Sequence, residues 1–85
     1  MKVKFNSSAK KELAKLDRRT GERIYIRIYA LRENPFPPSS RKLTNYLGYR
    51  IRVGDYKVVY SVDAENRTVE ILKIAHRKEV YKHLG

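Results

Sequence analysis

A chain of 85 residues makes one domain, and 41% hydrophobic residues suffice for a thin single core and are too many for a disordered segment. Cysteine is absent, which excludes disulfides and thiolate metal sites and fits a reducing cytoplasm. No apolar run reaches membrane-spanning length, and the alternating start Met1-Lys2-Val3-Lys4-Phe5 has no signal-peptide core. Twenty Lys and Arg against nine Asp and Glu leave a net charge of +11, which repels itself on so small a globule and is relieved by a polyanion, most commonly nucleic acid.

Val3 and Phe5 alternate with Lys2 and Lys4, the pattern of a short half-buried strand. Ser7 or Ser8 then caps a helix whose apolar face is Ala9, Leu13 and Leu16. Around residues 17–21 the chain turns or pauses. Ile24, Ile28 and Leu31 carry a longer helix to about Glu33, and Asn34-Pro35 ends it, because proline disfavours helical geometry in the residue before it. The two helices are expected to form a hairpin on one side of a sheet. Residues 34–48 read as a loop anchored by Phe36 and Leu43, and its length favours a functional role.

The second half is strand-rich. Tyr49-Arg50-Ile51-Arg52-Val53 and Tyr56-Lys57-Val58-Val59-Tyr60-Ser61-Val62 alternate on either side of Gly54-Asp55. A turn at 63–66 leads to Thr68-Val69-Glu70-Ile71-Leu72-Lys73-Ile74, apolar on both faces as in a central strand. Residues 77–84 read as a short terminal helix or turn. The order βααβββ(α) gives an α+β fold: an N-terminal strand, a two-helix hairpin and a three-stranded antiparallel meander.

If Gly54-Asp55 is a two-residue loop, Val53 pairs with Tyr56 and Arg52 stands opposite Lys57, with Arg50 two residues along on the same face. Tyr49, Ile51, Val53, Tyr56, Val58, Tyr60 and Val62 then form the core face. Like charges directly opposite destabilise a sheet, and a polyanion would explain three cations placed together; a merely solvated face is the plain alternative. A second cluster, Ile74-Ala75-His76-Arg77-Lys78-Glu79-Val80-Tyr81, puts Arg77 and Tyr81 on one face if it is helical. Arginine clamps phosphate and tyrosine stacks on a base or donates a proton, although taken alone these two read as surface and packing residues, and His76 as a structural or surface histidine. Arg19, Arg23 and Arg27 at four-residue spacing read as a solvated helix face. No metal-ligand spacing, Gly-rich phosphate loop or Ser-His-Asp set is present, so neither a metal nor a cofactor is expected.

The motifs Tyr49-Arg50-Ile51-Arg52-Val53-Gly54-Asp55-Tyr56-Lys57-Val58-Val59-Tyr60 and Ile74-Ala75-His76-Arg77-Lys78-Glu79-Val80-Tyr81 resemble the RelE family of toxin–antitoxin systems. Leu13-Ala14-Lys15-Leu16, the Leu31 to Asn34-Pro35 helix end and Lys42-Leu43 extend the resemblance over almost the whole chain. It implies a single RelE-like domain acting as an mRNA interferase, a metal-independent endoribonuclease that cuts mRNA in the ribosomal A site through attack of the 2′-hydroxyl on the adjacent phosphate. The family's site residues fall on Arg50, Arg52, Lys57, Arg77 and Tyr81, with His76 and Lys78 added as RNA-binding residues. Founding members carry lysine at the positions of Arg50 and Arg52 and arginine at that of Lys57. The general base therefore stays open: Lys57, His76 or another residue.

The resemblance further implies an acidic, RelB-like antitoxin, with operator DNA bound only through the complex, and no membrane partner. ParE relatives share the fold and poison DNA gyrase instead, which makes a gyrase-directed toxin the alternative. A non-catalytic RNA- or antitoxin-binding domain is the third reading.

Overall fold

The structure, a computed structural model, describes residues 1–43 and 48–76. β1 (Lys2–Phe5) precedes α1 (Ser7–Ala14) and α2 (Arg18–Ala30); β2 (Arg41–Lys42), β3 (Tyr49–Val53), β4 (Tyr56–Asp63) and β5 (Thr68–His76) follow. One five-stranded sheet has the order β1-β5-β4-β3-β2, antiparallel except where β1 runs parallel to β5. This is the expected α+β arrangement, and β5 is internal, as apolar residues on both faces require. The helix or turn expected at 77–84 lies outside the described residues.

Both helices start on a side-chain cap. Asn6, extended at φ −75° and ψ 172°, accepts from the Ala9 N–H at 2.8 Å, so the cap is Asn6 rather than Ser7 or Ser8, which are helical. Asp17 accepts from the Thr20 N–H at 3.2 Å, so the pause expected at 17–21 is the start of α2. Hydrogen bonding from Thr20 holds the Asp17 carboxyl below the usual carboxylate range. α2 ends at Ala30, short of the expected Glu33, and a turn carries the chain to Asn34.

Ala9, Ile24, Ile28 and Leu31 from the helices are buried against Ile51, Val53, Val58, Tyr60, Val69, Ile71 and Ile74 of the sheet. Tyr49, Tyr56 and Val62 pack around them. The core face is therefore the one that alternation assigns, and each fully buried aliphatic side chain contributes about 1.5–3 kcal/mol.

β1 leaves the sheet at Phe5, opposite Ile71, so the outer edge of β5 beyond that point has no strand partner among the described residues. Glu12 of α1 takes its place: Oε1 accepts from the Ile74 N–H at 3.0 Å and Oε2 from Lys73 Nζ at 3.2 Å. Glu12→Ala is expected to lower stability by about 1 kcal/mol and to speed hydrogen exchange at Ile74 above that of Ile71. Unchanged exchange at Ile74 would contradict this edge-capping role.

The segment 34–48 is not loop throughout. Arg41 and Lys42 form β2, with Arg41 opposite Arg50 and Lys42 opposite Tyr49, so the meander gains a short fourth strand at its edge. Ahead of it, the Tyr60 hydroxyl donates to the Pro35 carbonyl at 2.7 Å, and the Ser40 hydroxyl and N–H both donate to the Pro37 carbonyl at 2.8 Å. Phe36 lies edge-on to Tyr49 at 5.0 Å but stays half exposed, so the main anchor of the loop is Tyr60. Leu43, half-buried, donates its N–H to the Gly48 carbonyl at 2.9 Å.

Candidate nucleic-acid interface

The β3–β4 hairpin has the expected register: Val53 opposite Tyr56, Arg52 opposite Lys57, Ile51 opposite Val58 and Arg50 opposite Val59. Of the two loop residues only Gly54 has a positive φ, +59°, the pattern of a type II′ turn, whose twist suits the flanking strands. With the apolar row turned to α1 and α2, alternation sends Arg50, Arg52 and Lys57 to the opposite face of the sheet.

Those three cations are not equivalent. Arg52 is exposed and Arg50 half-buried, whereas Lys57 is 6% exposed, the one buried charged side chain among the described residues. Its neighbour across the next strand, Ala75, is buried as well. Lys57 thus lies at the floor of the face and Arg52 on its rim.

β2 adds a cation from the segment expected to be loop. Arg41, paired with Arg50, shares its face, and a groove of about 250 Å³ is lined by Ser39, Arg41, Arg50 and Arg52. Among the described residues no carboxylate lines it. Arg41 Nη1 donates to the carbonyls of Pro38 at 3.0 Å and Ser40 at 2.9 Å, and Arg27 Nη2 donates to Ser39 Oγ at 3.2 Å. A two-residue strand has no periodicity to read, so nothing in the sequence marks Arg41 beyond its charge. Arg19, Arg23 and Arg27 are exposed, as a solvated helix face requires, although Arg27 also reaches that loop.

The opposite end of the same face is mixed in charge. Glu70 pairs with Ser61 and with Lys4, and a second hollow there is lined by Lys4, Ser61, Asp63, Asn66, Thr68 and Glu70. Hydrogen bonding from Asn66 holds the Asp63 carboxyl below its ordinary range. Among the described residues, the face opposite α1 and α2 therefore grades from mixed charge at β1–β5 to cationic at β2–β3.

His76 does not join the cations. The register of β4 with β5 shifts between Val59, opposite Lys73, and Tyr60, opposite Ile71, leaving Leu72 as an extra residue. Beyond that bulge Ile74 and His76 occupy the helix-side row, and His76 lies opposite Tyr56 with the rings at 5.2 Å and 82°. The bulge thus separates His76 from Arg50 and Arg52, on the other face of the sheet. Arg77, Lys78 and Tyr81 lie outside the described residues.

A charged groove of this kind suits a phosphodiester chain, since guanidinium forks match phosphate oxygens. Comparison with known proteins bears on its lineage. The profile of the family described as ParE toxin of type II toxin–antitoxin system, parDE, matches residues 3–81. The chain is 30% identical to Toxin RelG of Mycobacterium tuberculosis over 84 residues, covering 94% of each protein. Among solved structures, it resembles the archaeal RelE–RelB complex from Pyrococcus horikoshii with a TM-score of 0.79 and 30% identity, covering 89% of this chain and 93% of that one. The toxin–antitoxin complex RelBE2 from Mycobacterium tuberculosis matches with a TM-score of 0.80 and 28% identity, over 89% and 96%. With its strand order, its helices on one face and a family match spanning nearly its full length, the chain belongs to the ParE toxins of type II toxin–antitoxin systems, within the RelE/ParE superfamily.

Proposed function

We propose that this toxin is an endoribonuclease that cuts mRNA in the ribosomal A site. The observation that carries the reading is the groove of Ser39, Arg41, Arg50 and Arg52, cationic and without a lining carboxylate among the described residues, on the face away from α1 and α2. In the reaction the 2′-oxygen forms a bond to the adjacent phosphorus as the bond from phosphorus to the 5′-oxygen breaks. The 2′-hydroxyl proton passes to a base and the leaving 5′-oxygen takes up a proton. The products are a 2′,3′-cyclic phosphate and a 5′-hydroxyl. Arg50 and Arg52 bind the phosphate and stabilise the charge that develops on it. Lys57, at the floor, is the candidate for the proton from the 2′-hydroxyl, and Arg77 and Tyr81 complete the site as phosphate clamp and base-stacking group. His76 is left out of this set by its place on the helix side of the sheet.

The partner that restrains the toxin is an acidic, RelB-like antitoxin. RelB-type antitoxins are bound in the solved complexes of its relatives, and a surface with a net charge of +11 favours such a partner. Ribosomes carrying a defined message test the activity. The expected result is cleavage within the A-site codon, with cyclic-phosphate and 5′-hydroxyl ends, and no cleavage of the same message free in solution. A gyrase-directed toxin, which the resemblance to ParE relatives implies, is the second reading. Stalled replication and double-strand breaks with intact messages would favour it and remove the first.

A further inference from the structure

We propose that Arg41, with Ser39 and Arg50, forms a second phosphate subsite at the β2–β3 edge, which holds the phosphodiester next to the one that is cleaved. The inference rests on the RNA-cleaving reading and extends it to a residue outside the set Arg50, Arg52, Lys57, Arg77 and Tyr81.

Arg41 stands directly opposite Arg50, so two guanidinium side chains leave one face from neighbouring strands. Cross-strand like charges repel, and an anion between them turns that repulsion into attraction. The donors are arranged for it. The carbonyls of Pro38 and Ser40 take bonds from Nη1 alone, while Nη2 and Nε carry the other three N–H groups of the guanidinium.

The backbone beneath is stiff. Pro35, Pro37 and Pro38 fix their own φ angles, Tyr60 holds Pro35, Ser40 holds Pro37, and Arg27 holds Ser39. A cation on such a segment loses little freedom on binding, which favours affinity. The electrostatic gradient of the face gives the strand its direction. Lys4 pairs with Glu70 at the β1–β5 end, so that end attracts a polyanion less than the Arg41–Arg50–Arg52 edge does, and a chain crossing Arg52 and Arg50 is led out over Arg41.

The test uses the full chain on programmed ribosomes. Three messages are compared: one with natural linkages and two with a single neutral methylphosphonate, on one or the other side of the cut. Arg41→Gln is expected to raise the half-saturating toxin concentration about tenfold, with a much smaller change in the saturated rate. One of the two neutral messages should raise it by a similar factor for the wild type and hardly at all for Arg41→Gln, the non-additivity of a shared contact. Arg41→Lys, which keeps the charge, should recover part of the affinity. An unchanged half-saturation in Arg41→Gln, or additive effects of substitution and neutral linkage, would overturn the subsite while leaving cleavage in place. Loss of antitoxin binding without loss of message discrimination would assign Arg41 to the antitoxin and overturn it equally. A wild type that cuts none of the messages would overturn the cleavage reading itself, and the subsite with it.

Discussion

Arg52→Ala is expected to slow single-turnover mRNA cleavage on programmed ribosomes by about a hundredfold to a thousandfold, the loss typical of removing one preorganised donor to transition-state charge. The fold should not feel the change. Arg52 is exposed, stands opposite another cation and contributes nothing to the apolar core, so its removal relieves repulsion with Lys57 rather than breaking a stabilising contact. A thermal midpoint equal to or slightly above that of the wild type should therefore accompany the lost activity. Arg52→Lys separates charge from geometry: it retains the attraction for phosphate but not the planar fork, and an intermediate rate is expected. Cleavage by Arg52→Ala at the wild-type rate would remove this side chain from the chemistry and leave the groove as a solvated face.

The largest loss of stability is expected at Tyr60. Its side chain is fully buried, its ring lies 5.9 Å from that of Tyr49, and its hydroxyl donates to Pro35 at 2.7 Å. Burial pushes the phenol up from its ordinary range, so it stays a neutral donor throughout the working pH range. Tyr60→Ala leaves a large cavity and an unmade bond, and a loss of about 3–5 kcal/mol is expected. That is a large part of the roughly 5–15 kcal/mol by which domains are stable, so the variant should be partly unfolded without denaturant. Tyr60→Phe keeps the ring and loses only the bond, about 1 kcal/mol. Urea unfolding of both variants at constant m-value measures the two contributions, and equal losses would mean that the hydroxyl, not the ring, carries the stability.

Tyr60 also shows how the fold serves the groove. It joins β4, at the centre of the sheet, to the proline segment that carries Ser39 and Arg41. Partial loss of the Tyr60 bond should weaken RNA binding through the Arg41 side of the groove before it affects Arg52. Gly48 reinforces that junction, because a Cβ there would stand 2.9 Å from the Tyr60 carbonyl oxygen, closer than side chains approach a backbone. The close pairing of β3 with β4 thus depends on glycine at the position just before β3.

How much of this was legible in the residues alone follows from the range of the forces involved. The hairpin register, the core row from Tyr49 to Val62 and the common face of Arg50, Arg52 and Lys57 rest on two-residue alternation and a two-residue turn. Both are local, and a slip by one residue would expose the whole core row, so the pattern admits one solution. Asn6 rather than Ser7 or Ser8 is the cap because both residue types cap well and only backbone geometry selects among the three positions. What tertiary structure decided is of another kind. β2 exists because Arg41 and Lys42 find an edge to pair with, Glu12 caps β5 because β1 departs there, and Lys57 is enclosed by the way the chain packs around it. Counting by twos from Val69 and Ile71 would send His76 to the cationic face, and one bulged residue at Leu72 returns it to the helices. Contacts between residues far apart in the chain depend on geometry that no short window of sequence contains, and they decide which of the cations meet.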